Sequence, residues 1–127
     1  MDGATSVLLI EDDEELAELY RLRLSADGYR VSVVPDGVSG LAAVSEAPPD
    51  VVFLDVRLPR LSGIEVLEQI RSTATISDTP VFVLSNYGEP ELRDRCLELG
   101  AVDYLVKADV VPATLAERVK QVTEAAR

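Results

Sequence analysis

Four places along this chain set a reactive or charged group directly after an apolar run. Glu11, Asp12 and Asp13 follow Val7–Ile10, and Asp55 follows Val51–Leu54. Ser85 follows Val81–Leu84, and Lys107 follows Val102–Val106. Carboxylates packed together repel one another, and a bound cation is the usual remedy; oxygen-only donors suit Mg²⁺, Mn²⁺ or Ca²⁺. Mg²⁺ typically takes one or two carboxylates, some waters and a phosphate oxygen. A lysine and a hydroxyl facing such a cluster supply what a phosphoryl group needs, a point charge and a hydrogen-bond donor. An aspartate can itself be the nucleophile and form an acyl phosphate. The chain has no histidine, which excludes histidine general-base catalysis, histidine-ligated metals and phosphohistidine chemistry on this chain.

Taken singly, each residue has a plainer reading. Asp12 with Glu15 reads equally well as a helix cap. Asp55 and Ser85 read as turn residues, Lys107 as a solvated charge, Tyr104 as core and Arg57 as surface. Their joint placement is harder to assign to caps and turns, because it needs the elements between them to bring the run ends together.

Those elements are legible in the hydrophobic spacing. Val7–Ile10, Val31–Val34, Val51–Leu54, Val81–Leu84 and Val102–Val106 are short, β-branched and nearly unbroken, as strands buried on both faces should be. Between them lie segments with helical spacing. Leu16, Leu19, Tyr20 and Leu24 form the first stripe. A short helix from Asp36 to about Glu46 carries Val38, Leu41 and Ala42. Ser62 and Glu65 make a capping-box pattern ahead of Val66, Leu67 and Ile70. A fourth helix spans roughly Glu91–Leu99 and stops at Gly100. A fifth starts near Pro112 and presents Leu115, Val119 and Val122. Pro48–Pro49, Pro59–Gly63 and Ser77–Pro80 read as connections, with Ser72–Pro80 the loosest. The pattern predicts an α/β fold of five βα units, a parallel sheet with helices on both faces. If the strand order is 2-1-3-4-5, strands one, three, four and five are neighbours. Their polar ends then meet at one cleft beyond the strand carboxyl ends. Strand two ends in Pro35 and Asp36, with no comparable group.

Length and composition bound the rest. The chain has 127 residues, which fits one domain over 1–127, and 47% hydrophobic residues, enough for a core. A net charge of −11 repels phosphate backbones, so direct nucleic-acid binding is not expected. Cys96 is the only cysteine, so no intrachain disulfide can form. No apolar run is long enough to span a bilayer, and Met1–Ser6 lacks the basic and apolar regions of a signal peptide. A cytoplasmic location is the expectation.

The motifs V-L-L-I-E-D-D, V-F-L-D-V-R-L-P-R-L-S-G-I-E-V-L, V-F-V-L-S-N and G-A-V-D-Y-L-V-K together resemble the receiver domain of two-component response regulators, from about Ser6 to Val122. The resemblance implies a flavodoxin-like, doubly wound (βα)5 sheet in the order 2-1-3-4-5. It implies Asp55 as phosphoacceptor, Asp12 as a direct Mg²⁺ ligand and Glu11 as one acting through water. Asp13 would begin helix one, and the Arg57 carbonyl would be a further metal contact. Ser85 matches the hydroxyl that turns towards the phosphoryl group, Tyr104 the aromatic that changes burial, and Lys107 the lysine that pairs with the phosphate. Pro59 and Gly63 match the loop after the phosphoacceptor. The implied partners are a sensor histidine kinase or phosphotransfer protein, or a small phosphodonor, and an unspecified downstream protein. The implied output face is helix four, strand five and helix five, where Arg93, Arg95, Asp103 and Arg118 suit a weak dimer; a monomer is the alternative.

The sequence departs from the family at two points. Ala108 stands where proline usually follows the lysine. A non-proline cis bond costs about 2.5–4 kcal/mol, so a trans bond and a shifted loop start are expected, or else a strained cis bond. Asn86 replaces the usual small residue after the hydroxyl and narrows the approach to Asp55. Arg57 and Tyr87 fall where, in this family, residues overhang the water path to the phosphoryl group. Two rival readings are carried. A haloacid-dehalogenase-like phosphatase would need a carboxylate two residues after the nucleophile, where this chain has Arg57. A fold-only interaction module would not need the full Glu11, Asp12, Asp55, Ser85 and Lys107 set.

Overall fold

A computed structural model describes residues 4–125. Five strands alternate with five helices: β1 (Ser6–Ile10), α1 (Glu14–Ala26), β2 (Arg30–Val34), α2 (Gly37–Glu46), β3 (Val51–Asp55), α3 (Gly63–Ser72), β4 (Val81–Ser85), α4 (Pro90–Glu98), β5 (Asp103–Val106) and α5 (Pro112–Ala125). All strand pairs are parallel, in the order β2-β1-β3-β4-β5. The expected fold class and strand order are both found.

Period-two alternation sends successive strand residues to opposite faces and so builds two cores. Leu8, Ile10, Val52, Leu54, Val81 and Val83 pack with Val66, Leu67, Ile70 and Cys96 on the side of α2, α3 and α4. Val7, Leu9, Phe53, Phe82 and Leu84 pack with Tyr20, Leu24, Leu115 and Val119 on the side of α1 and α5. The rings of Phe53 and Phe82 stack at 5.2 Å across the β3–β4 pair.

Several expectations need correction. β2 is an edge strand rather than one buried on both faces, and Val33 is 38% exposed. Leu19 belongs to the predicted stripe of α1 but is 55% exposed, whereas Leu24 and Tyr20 are buried. The stripe facing a single sheet is narrower than the apolar pattern drawn on the helix. In α2 the buried positions are Gly37, Gly40 and Val44, not Val38 and Ala42. A Cβ at Gly40 would meet the Ile10 side chain at 2.6 Å, so glycine is what lets this helix lie close to β1. β5 begins at Asp103, and Val102 is exposed.

Ser72–Pro80 is not loose. Arg71 donates to the carbonyls of Ser77 and Thr79 at 3.0 and 2.8 Å, and Ile76 is buried. The same guanidinium donates to Leu99 O and Gly100 O, so it also holds the end of α4. The expected stop at Gly100 is found, with φ +83°.

Candidate functional site

β3 and β1 run side by side towards the cleft, so the residue that ends β3 and the one just after β1 carry acidic side chains to the same edge. Asp55 closes β3 and is 4% exposed. Its Oδ1 accepts the Arg57 N–H at 3.0 Å, and its Oδ2 accepts from Lys107 Nζ at 2.9 Å. Glu11, directly after β1, is 3% exposed. Its Oε2 accepts the Asp13 N–H at 3.1 Å. Its Oε1 faces Lys107 Nζ at 2.6 Å but has no well-directed hydrogen bond. Asp12 is exposed at the mouth. Glu11, Asp12 and Asp55 each bring a carboxylate oxygen within 4.8 Å of the other two.

Burial and the neighbouring Asp55 push the Glu11 carboxyl up to about 7, although Lys107 and the Asp13 amide pull it down. Burial works against the Lys107 charge, but its ion pairs with Glu11 and Asp55 prevail and hold its pKa above the ordinary value. An acidic trio with one buried oxygen lacking a directed donor fits a small divalent cation with oxygen preference. The plainer reading of Lys107 as a solvated surface charge is overturned, since its side chain is 11% exposed.

Asp13 serves a different purpose from Asp12. It caps α1, accepting the Leu16 N–H at 3.1 Å. Ser62 caps α3 in the same way, accepting from Glu65 N–H. A Cβ at Gly63 would sit 2.3 Å from the Asp55 carbonyl oxygen, so only glycine lets α3 start this close to the end of β3. The Lys107–Ala108 bond is trans; no cis peptide occurs among the described residues. Lys107–Asp109 forms a 3₁₀ turn.

Ser85 ends β4 fully buried, and its Oγ accepts the Tyr87 N–H at 3.2 Å. Tyr104 on β5 is 7% exposed and donates from its hydroxyl to Tyr87 O at 2.8 Å. The two ends of one residue, Tyr87, thus join Ser85 to Tyr104. The Arg57 side chain pairs with Glu89 at 2.8 Å, just before α4. Tyr87 is 62% exposed, and Asn86 is also exposed beside it. An open groove of about 600 Å³, lined by Asp12, Arg57, Leu58, Ile64, Glu89 and Leu92, flanks the cleft. Sequence reasoning had no signal for Glu89, because an exposed carboxylate near a helix start looks like many others.

The fold and cleft define an α/β domain that sets an acidic trio, with the chemistry a divalent cation needs, beside a lysine and a hydroxyl, the requirements of a phosphoryl group. The family model described as response regulator receiver domain matches residues 7–120. The response regulator MprA of Mycobacterium sp. (strain KMS) is 40% identical over 110 residues, covering 87% of this chain and 47% of that protein. The chain therefore spans about half the length of the curated relatives it matches. The Francisella response regulator 1452 receiver domain superposes with a TM-score of 0.88 at 28% identity, covering 97% of this chain and 99% of that one. A BeF3-activated DrrB receiver domain gives 0.84 at 30% identity, with 95% and 98% covered. This chain belongs to the response regulator receiver domain family, the phosphoacceptor modules of two-component signalling. Domains of this family bind Mg²⁺ in an acidic pocket, and in this chain the carboxylates of Glu11, Asp12 and Asp55 lie close together.

Proposed function

We propose that Asp55 accepts a phosphoryl group from a histidine kinase, a phosphotransfer protein or a small phosphodonor, and that the charge it gains resets a protein-binding surface. The observation that carries this is the pair of bonds on Asp55, with the Arg57 N–H on one oxygen and Lys107 Nζ on the other. They fix the carboxylate at the strand end, so little orientation is left to find when a donor arrives. Attack by an Asp55 oxygen forms the new O–P bond as the donor's P–N or P–O bond breaks, and the leaving group takes the electron pair. Lys107 is in place to meet the equatorial oxygens. Glu11, Asp12, Asp55 and the Arg57 carbonyl would hold Mg²⁺. When bound, that ion neutralises charge on the transferred group. The domain thus speeds its own modification without turning over a substrate.

The switch runs through Tyr87. For Ser85 to reach a phosphoryl group it must give up the Tyr87 N–H, and the Tyr104 hydroxyl is bonded to the carbonyl of the same residue. Tyr104 is already buried here, so the change it undergoes is the making or breaking of that bond rather than entry from solvent. The output face would be α4, β5 and α5, serving a downstream protein or a weak dimer. The reading further takes 1–127 as a single receiver domain, cytoplasmic, with no direct contact to nucleic acid. Among the described residues no helix is long and apolar enough to cross a membrane. The phosphatase reading is disfavoured, because the residue two beyond Asp55 is an arginine engaged with Glu89.

The test is intact mass after treatment with acetyl phosphate. One phosphoryl group should be gained with Mg²⁺ and none with EDTA, and Asp55→Ala should gain none. Equal labelling of that variant, or multiple turnover on phosphate monoesters, would overturn the reading.

A further inference from the structure

α4 is held unevenly. Cys96 is its only fully buried residue. Its C-terminal end is stapled by the Arg71 guanidinium, which donates to Leu99 O at 3.0 Å and Gly100 O at 2.8 Å while also holding Ser77 O and Thr79 O. Its middle carries an Arg95–Glu68 pair at 3.1 Å. Its N-terminal end is tied by Glu89, whose side chain does not cap the helix and instead takes Arg57 Nη2 at 2.8 Å. Arg57 belongs to the loop after β3, so this ion pair crosses the mouth of the cleft, above the groove lined by Leu58, Ile64 and Leu92.

Resting on the reading of Asp55 as phosphoacceptor, we propose that the Arg57 guanidinium is a relay: it leaves Glu89 for the phosphoryl group on Asp55 and so releases the N-terminal turn of α4. The Arg57 N–H is bonded to Asp55 Oδ1, which keeps its Cα within one side-chain length of any group added there. The side chain is 61% exposed, so little packing is lost when it turns. A phosphoryl group carries more charge than one carboxylate and offers three acceptor oxygens to a planar guanidinium. The exchange therefore runs towards Asp55 once the phosphoryl group is present. The Arg71 staple uses main-chain carbonyls and does not respond to that charge. Gly100, at φ +83°, sits beside it, and α4 would pivot there. This path to α4 is separate from the one through Ser85, Tyr87 and Tyr104.

The reporter is the Arg93 amide, which donates to Glu89 O at 2.9 Å and closes the first turn of α4. Its hydrogen exchange is followed by NMR, with and without beryllofluoride and Mg²⁺, in the wild type, Glu89→Gln and Arg57→Gln. In the wild type beryllofluoride should speed this exchange roughly twofold to fivefold, the range that an exposed ion pair supports. Both variants should exchange at the faster level from the start, with no further response to beryllofluoride. Glu89→Gln should also gain phosphoryl faster from acetyl phosphate by a similar factor, because the competitor for Arg57 is gone, and Arg57→Gln should gain it more slowly. Wild-type exchange rates in both variants, or an undiminished beryllofluoride response in Glu89→Gln, would overturn the relay. Intact mass on the same samples separates the two claims: an unlabelled wild type refutes the phosphoacceptor reading, whereas normal labelling without the exchange pattern refutes the relay alone.

Discussion

Glu11 is a carboxylate buried against a second carboxylate, and its protonation shows the cost. Its pKa of about 7 lies above the ordinary 4.5, through burial first and Asp55 second. A raised folded-state pKa means that stability is fully present below pH 4.5 and is lost as pH rises through 7. The amount is at most about 3 kcal/mol, from a shift of that size. Urea midpoints of metal-free protein should therefore fall between pH 5 and 8, and Glu11→Gln should flatten the fall. Mg²⁺ should restore the midpoint at pH 8, because it compensates the charge that burial opposes. An unchanged pH profile in Glu11→Gln would assign the fall to other groups. Asp12 and Asp13, adjacent in sequence, should separate cleanly. Asp12→Asn removes an anion from the trio and should weaken Mg²⁺ binding strongly in a calorimetric titration. Asp13→Asn keeps a good cap on α1 and should change affinity little. The reverse order would mean that the cation sits elsewhere in the acidic cluster.

Under the proposed function, the two loops that follow β3 and β4 should set how long a phosphoryl group survives. Hydrolysis of the acyl phosphate needs a water in line with the leaving Asp55 oxygen. The loop after β3 contributes Arg57, and the loop after β4 contributes the exposed Asn86 and Tyr87. The phosphorylated form should decay over many minutes or longer. In a phosphate-release time course, Arg57→Asn with Tyr87→Glu should decay clearly faster than wild type, with each single variant between. Since the Tyr87 ring is 62% exposed, free swinging into solvent is the competing outcome; it would appear as no response to either substitution. Rapid wild-type decay would equally remove the gate.

For the whole molecule, a net charge of −11 opposes close approach of two copies except where cations are presented. Of the four residues expected to pair across a dimer, Arg118 meets Asp103 at 3.5 Å and Arg95 meets Glu68 at 3.1 Å within one chain. An interface through α4, β5 and α5 would have to exchange those bonds for intermolecular ones, which favours weak association before phosphorylation. Sedimentation should show a monomer in the untreated protein and an increase in dimer with beryllofluoride. A monomer under both conditions would leave this face to other partners.

The sequence by itself determined the five βα units and the strand ends that carry function, because both rest on local rules. Unbroken β-branched runs mark doubly buried strands, and a polar residue directly after such a run must lie at the sheet's carboxyl edge. Ser62 and Gly100 were legible for the same reason, since caps and positive φ act within a few residues. Tertiary structure alone decided which apolar residues are covered. Leu19 and Val33 look like core and are exposed, because the sheet edge at β2 and the narrow contact of α1 are not local properties. It also decided that Lys107 is half-buried between Glu11 and Asp55, residues 96 and 52 positions away in the chain. The Arg57–Glu89 pair and the four carbonyls gathered by Arg71 belong to the same class. They join segments far apart in sequence through long, flexible side chains, and such contacts leave no periodicity for a sequence to show.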